Sequence, residues 1–450
     1  MKTTEQLAHF VTDTSFAALP EPVVTAAKRA ILDTLGVTLA GASEEGSCIL
    51  LDTLGEAGTG GAASVFGTSM RASVPQAALA NGALGHALDF DDVSVSMRGH
   101  PSIPVLAAVL AAAEASRSPG ADALTAFVVG FEVECRLGRT LGASSYARGW
   151  HATSVLGALG AAAACASLWR LDPTRVRYAL GLAASMASGT RQNFGSMTKP
   201  LHAGLAARAG VEAAELARRG FTAAPDIVEA PLGFGALFSP AQDWSPERLG
   251  EPGRPWQIVS PGIGVKKYPC CYMTHQALDA TLRASGGHGI DAQEIESVEV
   301  VVPEGSTSAL IHPRPTTGLE GKFSMEYCVA AALLDGGVRL SSFEGDQVLR
   351  PEAQQVLRRV ETVQVPGPEA WRASATSVTV RLRSSEALRA EVTLARGDPR
   401  DPLSWDELAD KYRDCAARAL PSERVERSLE LIAKFPETRV DELARVLTTR

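Results

Sequence analysis

The segment TSVLGALGAAAACASLW at residues 153–169 is apolar on every side of a helix. A helix without a polar face has to be enclosed, either by other protein elements or by lipid. Its longest apolar run, Val155–Ala166, and the comparable Ile103–Ala113 fall short of the roughly 20 residues that cross a bilayer. The chain must therefore supply enough further helices to surround this one. It has 450 residues, 45% of them hydrophobic and 21% charged, which suits a soluble globular protein of more than one domain. Aromatic residues make up only 6%, so Ala, Val and Leu carry much of the apolar share and favour close helix–helix approach.

Helical patterning dominates the first 250 residues. Val24, Ala27, Ile31 and Leu35 form one apolar stripe after Pro22, and residues 104–116, 121–141 and 173–188 also read as helices. After about residue 265 the period changes. Ile295–Val302, Ser377–Arg383 and Ala390–Ala395 read as strands, with Val378, Val380 and Leu382 alternating with polar residues. Residues 325–334 and 351–360 read as helices between them. Helical patterning returns near the C-terminus: Ser404 and Glu407 have capping-box spacing before a helix to about Ala419, and Val425, Leu429 and Ile432 mark the next. The Gly-rich stretch 58–64 reads as a turn. The expected fold is mainly α: a helical domain over 1–265 and 400–450, interrupted by a smaller α+β domain over 266–399.

Charge and motifs exclude several functions. Forty-three basic against 51 acidic residues give a net charge of -8, which argues against a nucleic-acid binder. The N-terminus MKTTEQLAHF lacks an apolar signal core, and seven mostly scattered cysteines suit reduced thiols, so a cytoplasmic protein is expected. Neither G-x-G-x-x-G nor G-x-x-x-x-G-K-[ST] occurs, nor H-E-x-x-H or paired C-x-x-C. The expectation is an enzyme without metal or organic cofactor.

Five of the eight histidines fall in segments dense with Gly, Asp, Lys or Pro. In HALDFDD, His86 and Asp89 are spaced as one helical turn, although Asp89, Asp91 and Asp92 read equally as a solvated helix end. In RGHPS, His100 directly precedes an apolar helix. In NFGSMTKPLHAG, Pro200 resembles a first helical residue, placing Lys199 at a helix start and His202 in its first turn. With Arg191 these make a local anion site, or merely a cap with a surface lysine. The cluster KKYPCCYMTH offers Lys266, Lys267 and His275 to a carboxylate, or packs Tyr268 and Tyr272 at a domain junction; Cys270 and Cys271 read as structural thiols.

Taken in order, HALDFDD, GHPS, GWHATS, NFGSMTKPLHAG, KKYPCCYMTH and GKFSMEY resemble the MmgE/PrpD family, over nearly the whole chain. The resemblance implies a large helical domain built from both chain ends and a smaller α+β lid. It also implies a homodimer, no cofactor, and a site between domains for small di- or tricarboxylates. Carried over by motif, Asp89, His100, His151, Lys199 and Tyr327 are the expected catalytic residues. His100 and His151 would share acid/base work, Lys199 would clamp a carboxylate, Asp89 would orient, and Tyr327 would donate from the lid. Arg191, His202, Lys266 and His275 are expected in substrate binding.

Val93 departs from the threonine that some relatives, the decarboxylases among them, carry after the DFDD acids. The spacing from Asp89 to His100 is also slightly longer than theirs. Both differences argue against simple transfer of cis-aconitate decarboxylation. The expected activity is a dehydratase- or decarboxylase-type lyase of a small carboxylate. The alternatives are an epimerase of an amino- or iminodicarboxylate working by α-proton removal, and a non-catalytic dimeric scaffold.

Overall fold

A computed structural model of the chain describes residues 2–56, 60–240, 242–366 and 374–449. Two compact units emerge: residues 1–192, 199–264 and 404–450 form the first, and residues 193–198 and 265–403 the second. Residues 58 and 59 of the expected Gly-rich turn lie outside the described residues, and its end, Ala63–Ser64, pairs with Arg71–Ala72.

Six helices of the first unit bear on the site: α1 Glu21–Gly41, α2 Val74–His86, α3 Ser102–Ser116, α4 Gly120–Leu141, α5 Ala152–Leu168 and α6 Thr198–Arg218. Every residue of α5 except Ser167 is buried, as its all-round apolar sequence demands. The stripe on α1 holds only for its first half. From Ala30 to Gly41 every position is buried, because the helix runs into the interior. Pro22 is the second residue of α1, where its missing N–H costs no helical bond.

Helix α3 begins at Ser102, two residues before the sequence suggests. Asp92 accepts hydrogen bonds from the Ser102 amide at 3.2 Å and from its hydroxyl at 2.5 Å, a cap supplied from ten residues upstream. Helices α2 and α6 meet through glycine. A Cβ on Gly82 would stand 2.7 Å from the Gly204 Cα, so only bare backbones can approach this closely. The capping box forms as read, with the Glu407 amide donating to Ser404 Oγ at 3.1 Å and the Ser404 amide to Glu407 Oε2 at 2.6 Å. That helix, Trp405–Ala416, ends three residues short of Ala419.

The second unit contains a four-stranded sheet of β1 Ile295–Pro303, β2 Val360–Val365, β3 Thr376–Leu382 and β4 Ala387–Val392, in the order β2-β1-β3-β4. Strand β1 runs parallel to β2 and antiparallel to β3. Val298, Val300, Val302, Val378 and Val380 enter a core shared with helices His275–Ala284 and Met325–Asp335. Strand β2 was not expected. The preceding helix stops at Leu357 and Val360 pairs with Val298, since the alternating VETVQV suits a pleat better than a helix. Strand β4 starts at Ala387, three residues earlier than expected, in the register set by Val378 opposite Ala390. Among the described residues no helix is long and apolar enough to cross a membrane.

Candidate active site

Helix α2 ends at His86, and three residues later Asp89 adopts a left-handed backbone with φ of 50°. Aspartate tolerates this conformation better than most residues. Asp89 therefore does not lie one helical turn beyond His86, and the three acids after α2 diverge. Asp89 Oδ1 meets Lys199 Nζ at 2.6 Å. Asp91 Oδ2 lies 2.9 Å from His86 Nδ1 and 3.2 Å from His100 Nδ1. Asp92 turns away to cap α3. The reading of these acids as a solvated helix end fails, because all three are buried.

Lys199, the second residue of α6, also places Nζ 3.0 Å from His86 Nε2. His100 is fixed by its amide donating to Thr153 Oγ1 at 3.0 Å, with Nε2 3.6 Å from Asp89 Oδ1. Gly99 makes this possible, since a Cβ there would stand 2.9 Å from Thr153. His151 is the residue immediately before α5, and its Nδ1 lies 3.0 Å from His202 Nδ1. The His86 ring packs edge-on to His100 at 4.5 Å and stacks over His151 at 5.8 Å. Four histidines, two aspartates and one lysine thus form one buried polar cluster within the first unit.

Burial and charge set its protonation. Burial, only partly offset by Asp91, lowers His86 to about 3. Burial and then Lys199 lower His202 to about 4 and push His151 well below its usual value. These rings are neutral at physiological pH, so His151 is not an imidazolium acid there. Burial alone would raise Asp91, but His100 and His86 hold it well below the ordinary carboxylate range. Burial raises its neighbour Asp92 to about 8, and raises Glu134 on α4 strongly, with Asp92 adding to it. Adjacent carboxyls are thus driven apart, one ionised towards the histidines and one protonated away from them.

The chain matches the MmgE/PrpD N-terminal domain over residues 5–247 and the C-terminal domain over 268–437. It belongs to the MmgE/PrpD family. Human cis-aconitate decarboxylase is 31% identical over 99% of this chain and 94% of its own length. The mouse cis-aconitate decarboxylase is 30% identical over 96% of this chain and 91% of its own. That of Aspergillus terreus is 27% identical over 95% and 92%.

Of the residues expected from the MmgE/PrpD motifs, Asp89, His100, His151, Lys199 and His202 come together in the cluster just described. Arg191 faces elsewhere: its guanidinium lies 3.8 Å from the Tyr146 ring centroid and donates to the Tyr146 carbonyl at 2.8 Å. Lys266, His275 and Tyr327 belong to the second unit. Lys266 is buried, and His275 packs between the rings of Tyr268 and Tyr272. Tyr327 is fully buried in the sheet-and-helix core, and its hydroxyl donates to the Ser342 carbonyl. Val93 is buried and pairs through its backbone with Gly264.

His86 and Asp91 were not singled out from sequence as site residues. Their signal was charge without exposure: HALDFDDV places three acids among apolar neighbours. His86, Asp89, Asp91 and His100 each bring a ligand atom within 4.8 Å of the others, the one such group among the described residues. Lys199 already sets an ammonium against two of the four, supplying fixed positive charge where a metal ion would otherwise have to.

Proposed function

We propose that this chain is a lyase that removes CO2 from cis-aconitate or a closely similar unsaturated tricarboxylate, with the cluster around Lys199 as its catalytic centre. The observation that carries the reading is the Lys199 ammonium held between Asp89 Oδ1 and His86 Nε2 beside His100. The extent of likeness to three cis-aconitate decarboxylases supports it and outweighs the departure at Val93.

The chemistry is consistent with these groups. When the CH2–carboxylate bond of cis-aconitate breaks, its electron pair forms a new double bond to the central carbon. The old double bond shifts its electrons to the carbon next to a remaining carboxylate, and that carbon takes one proton. CO2 and a methylene dicarboxylate leave. Negative charge grows on the remaining carboxylate, where a fixed ammonium in a water-poor site is most effective. His100 is the group that delivers the proton, while neutral His151 lines the cluster beside it. Asp89 holds Lys199 in place. Epimerisation would use similar groups but draws no support from these relatives.

The test is proton NMR of product formation, with CO2 release measured alongside, for a panel of cis-aconitate, citrate and 2-methylcitrate. Turnover of cis-aconitate alone is expected; activity confined to 2-methylcitrate would make the chain a dehydratase instead. We further infer a homodimer, because Phe221, Leu232 and Leu237 in one stretch of the first unit are largely exposed; sedimentation equilibrium giving a monomer would contradict it. Seven mostly scattered cysteines in 450 residues support a reducing, cytoplasmic compartment.

A further inference from the structure

Asp91 faces two histidines at once. Its carboxylate takes His86 Nδ1 at 3.0 Å on Oδ1 and 2.9 Å on Oδ2, while His100 Nδ1 lies 3.2 Å from the same Oδ2. We propose that Asp91 is a positioning residue that fixes the tautomers of both His86 and His100. The inference takes the lyase reading of the cluster as its frame.

The argument is one of donors and acceptors. Asp91 is wholly buried, and its two histidine neighbours keep it ionised, so it can only accept hydrogen bonds. His86 must then carry its proton on Nδ1, and a neutral ring leaves its lone pair on Nε2. That nitrogen lies 3.0 Å from Lys199 Nζ, an ammonium that can only donate. Lys199 to His86 to Asp91 is thus a chain in which every donor meets an acceptor. The opposite tautomer would set a lone pair against the carboxylate and an N–H against the ammonium, two repulsive contacts in a dry interior.

The same carboxylate orients His100. His100 Nδ1 lies 3.2 Å from Asp91 Oδ2, so a proton carried on Nδ1 would face that carboxylate and leave Nε2, the nitrogen on the Asp89 side, to exchange a proton with substrate. When Nε2 gains a proton, Asp91 stabilises the resulting cation, as a carboxylate behind a catalytic imidazole does generally. Asp91 would touch no substrate atom, yet the direction of both rings would depend on it.

The direct test is long-range proton–nitrogen NMR of histidine-labelled wild-type protein, paired with kinetics of Asp91→Asn and Asp91→Glu. Wild type should show His86 neutral and protonated on Nδ1. In Asp91→Asn the amide can turn its NH2 to His86, and the ring should move towards the Nε2–H tautomer. Turnover of cis-aconitate should fall by roughly 10²–10⁴-fold in kcat with little change in KM, by analogy with asparagine behind other catalytic histidines. Asp91→Glu should recover part of the loss. An Nε2-protonated His86 in wild type, or an Asp91→Asn variant with undiminished kcat, would overturn the proposal. If Asp91→Asn does not fold, the wild-type spectrum alone decides. If wild type does not act on cis-aconitate, the lyase reading fails while the spectrum still judges the tautomers.

Discussion

In the first unit, His86, His100, Lys199, Asp89 and Asp91 turn their polar atoms towards one another. In the second unit, several equally buried side chains end on the framework around them, although Cys270 is pulled well below its usual range, against its burial, by Cys328 and His275. Tyr327 donates to the Ser342 carbonyl, Lys322 to the Pro269 carbonyl at 3.2 Å, and Cys328 to the Gly321 carbonyl at 3.4 Å. Tyr268 closes a local bond to Asp279 at 2.7 Å. Bonds that end on backbone hold a fold in place. Titratable groups that end on each other shift one another's protonation, and that is where proton chemistry can be run. Residue type does not separate the two regions, since both contain histidine and buried lysine.

The largest effect should come from breaking the first region at its cation. Lys199→Ala should lower kcat/KM for cis-aconitate by about 10²–10³-fold, the usual loss on deleting a donor that stabilises developing negative charge. Steady-state kinetics will show this, and unchanged turnover would remove Lys199 from the chemistry. Next, Gly82→Ala should force α2 from α6 and destabilise the protein by about 1–3 kcal/mol in urea titrations, as overpacking does. Because α2 carries His86 and α6 carries Lys199, activity should fall with it; full activity in a stable variant would show that their spacing is not critical.

In the second region Tyr327→Phe removes one hydrogen bond to a carbonyl and should cost about 1 kcal/mol of stability. Its kcat should stay near wild type. A loss comparable to that of Lys199→Ala would instead make the hydroxyl catalytic, as the family motif implied.

The smallest effect separates two adjacent acids. Asp92 is raised from 3.8 to about 8, so the native state holds a proton that the unfolded chain has released, and stability falls as pH rises between those values. His86 and His202 are depressed from 6.5 to about 3 and about 4, so their contribution is present above pH 6.5 and lost as pH falls below it. Melting temperature should therefore peak near pH 6.5, and Asp92→Asn should flatten the alkaline limb. An unchanged limb would mean Asp92 is ionised in the native state.

Much of this was legible in the chain. The enclosure of α5, the capping box at Ser404 and the strand over Ser377 follow from local periodicity and spacing, which a sequence states directly. The start of α3 was not legible, because its cap is the carboxyl of Asp92 rather than a neighbouring side chain. Strand β2 was hidden by a helix that stops three residues before it. Lys199, His100 and Asp89 could be picked out by motif, but His86 and Asp91, which complete their contacts, could not. Asp91 looked like one acid of three, and only the left-handed turn at Asp89 reveals that each of the three faces a different group.

The measurement that bears most directly on the account is proton NMR of cis-aconitate in D2O with wild type and His100→Gln side by side. Wild type should consume cis-aconitate and yield a methylene dicarboxylate with one deuteron at the carbon beside a carboxylate, and His100→Gln should do so at least about 10²-fold more slowly. A wild-type protein that leaves cis-aconitate unchanged, or a His100→Gln variant that forms the deuterated product at the wild-type rate, would contradict it.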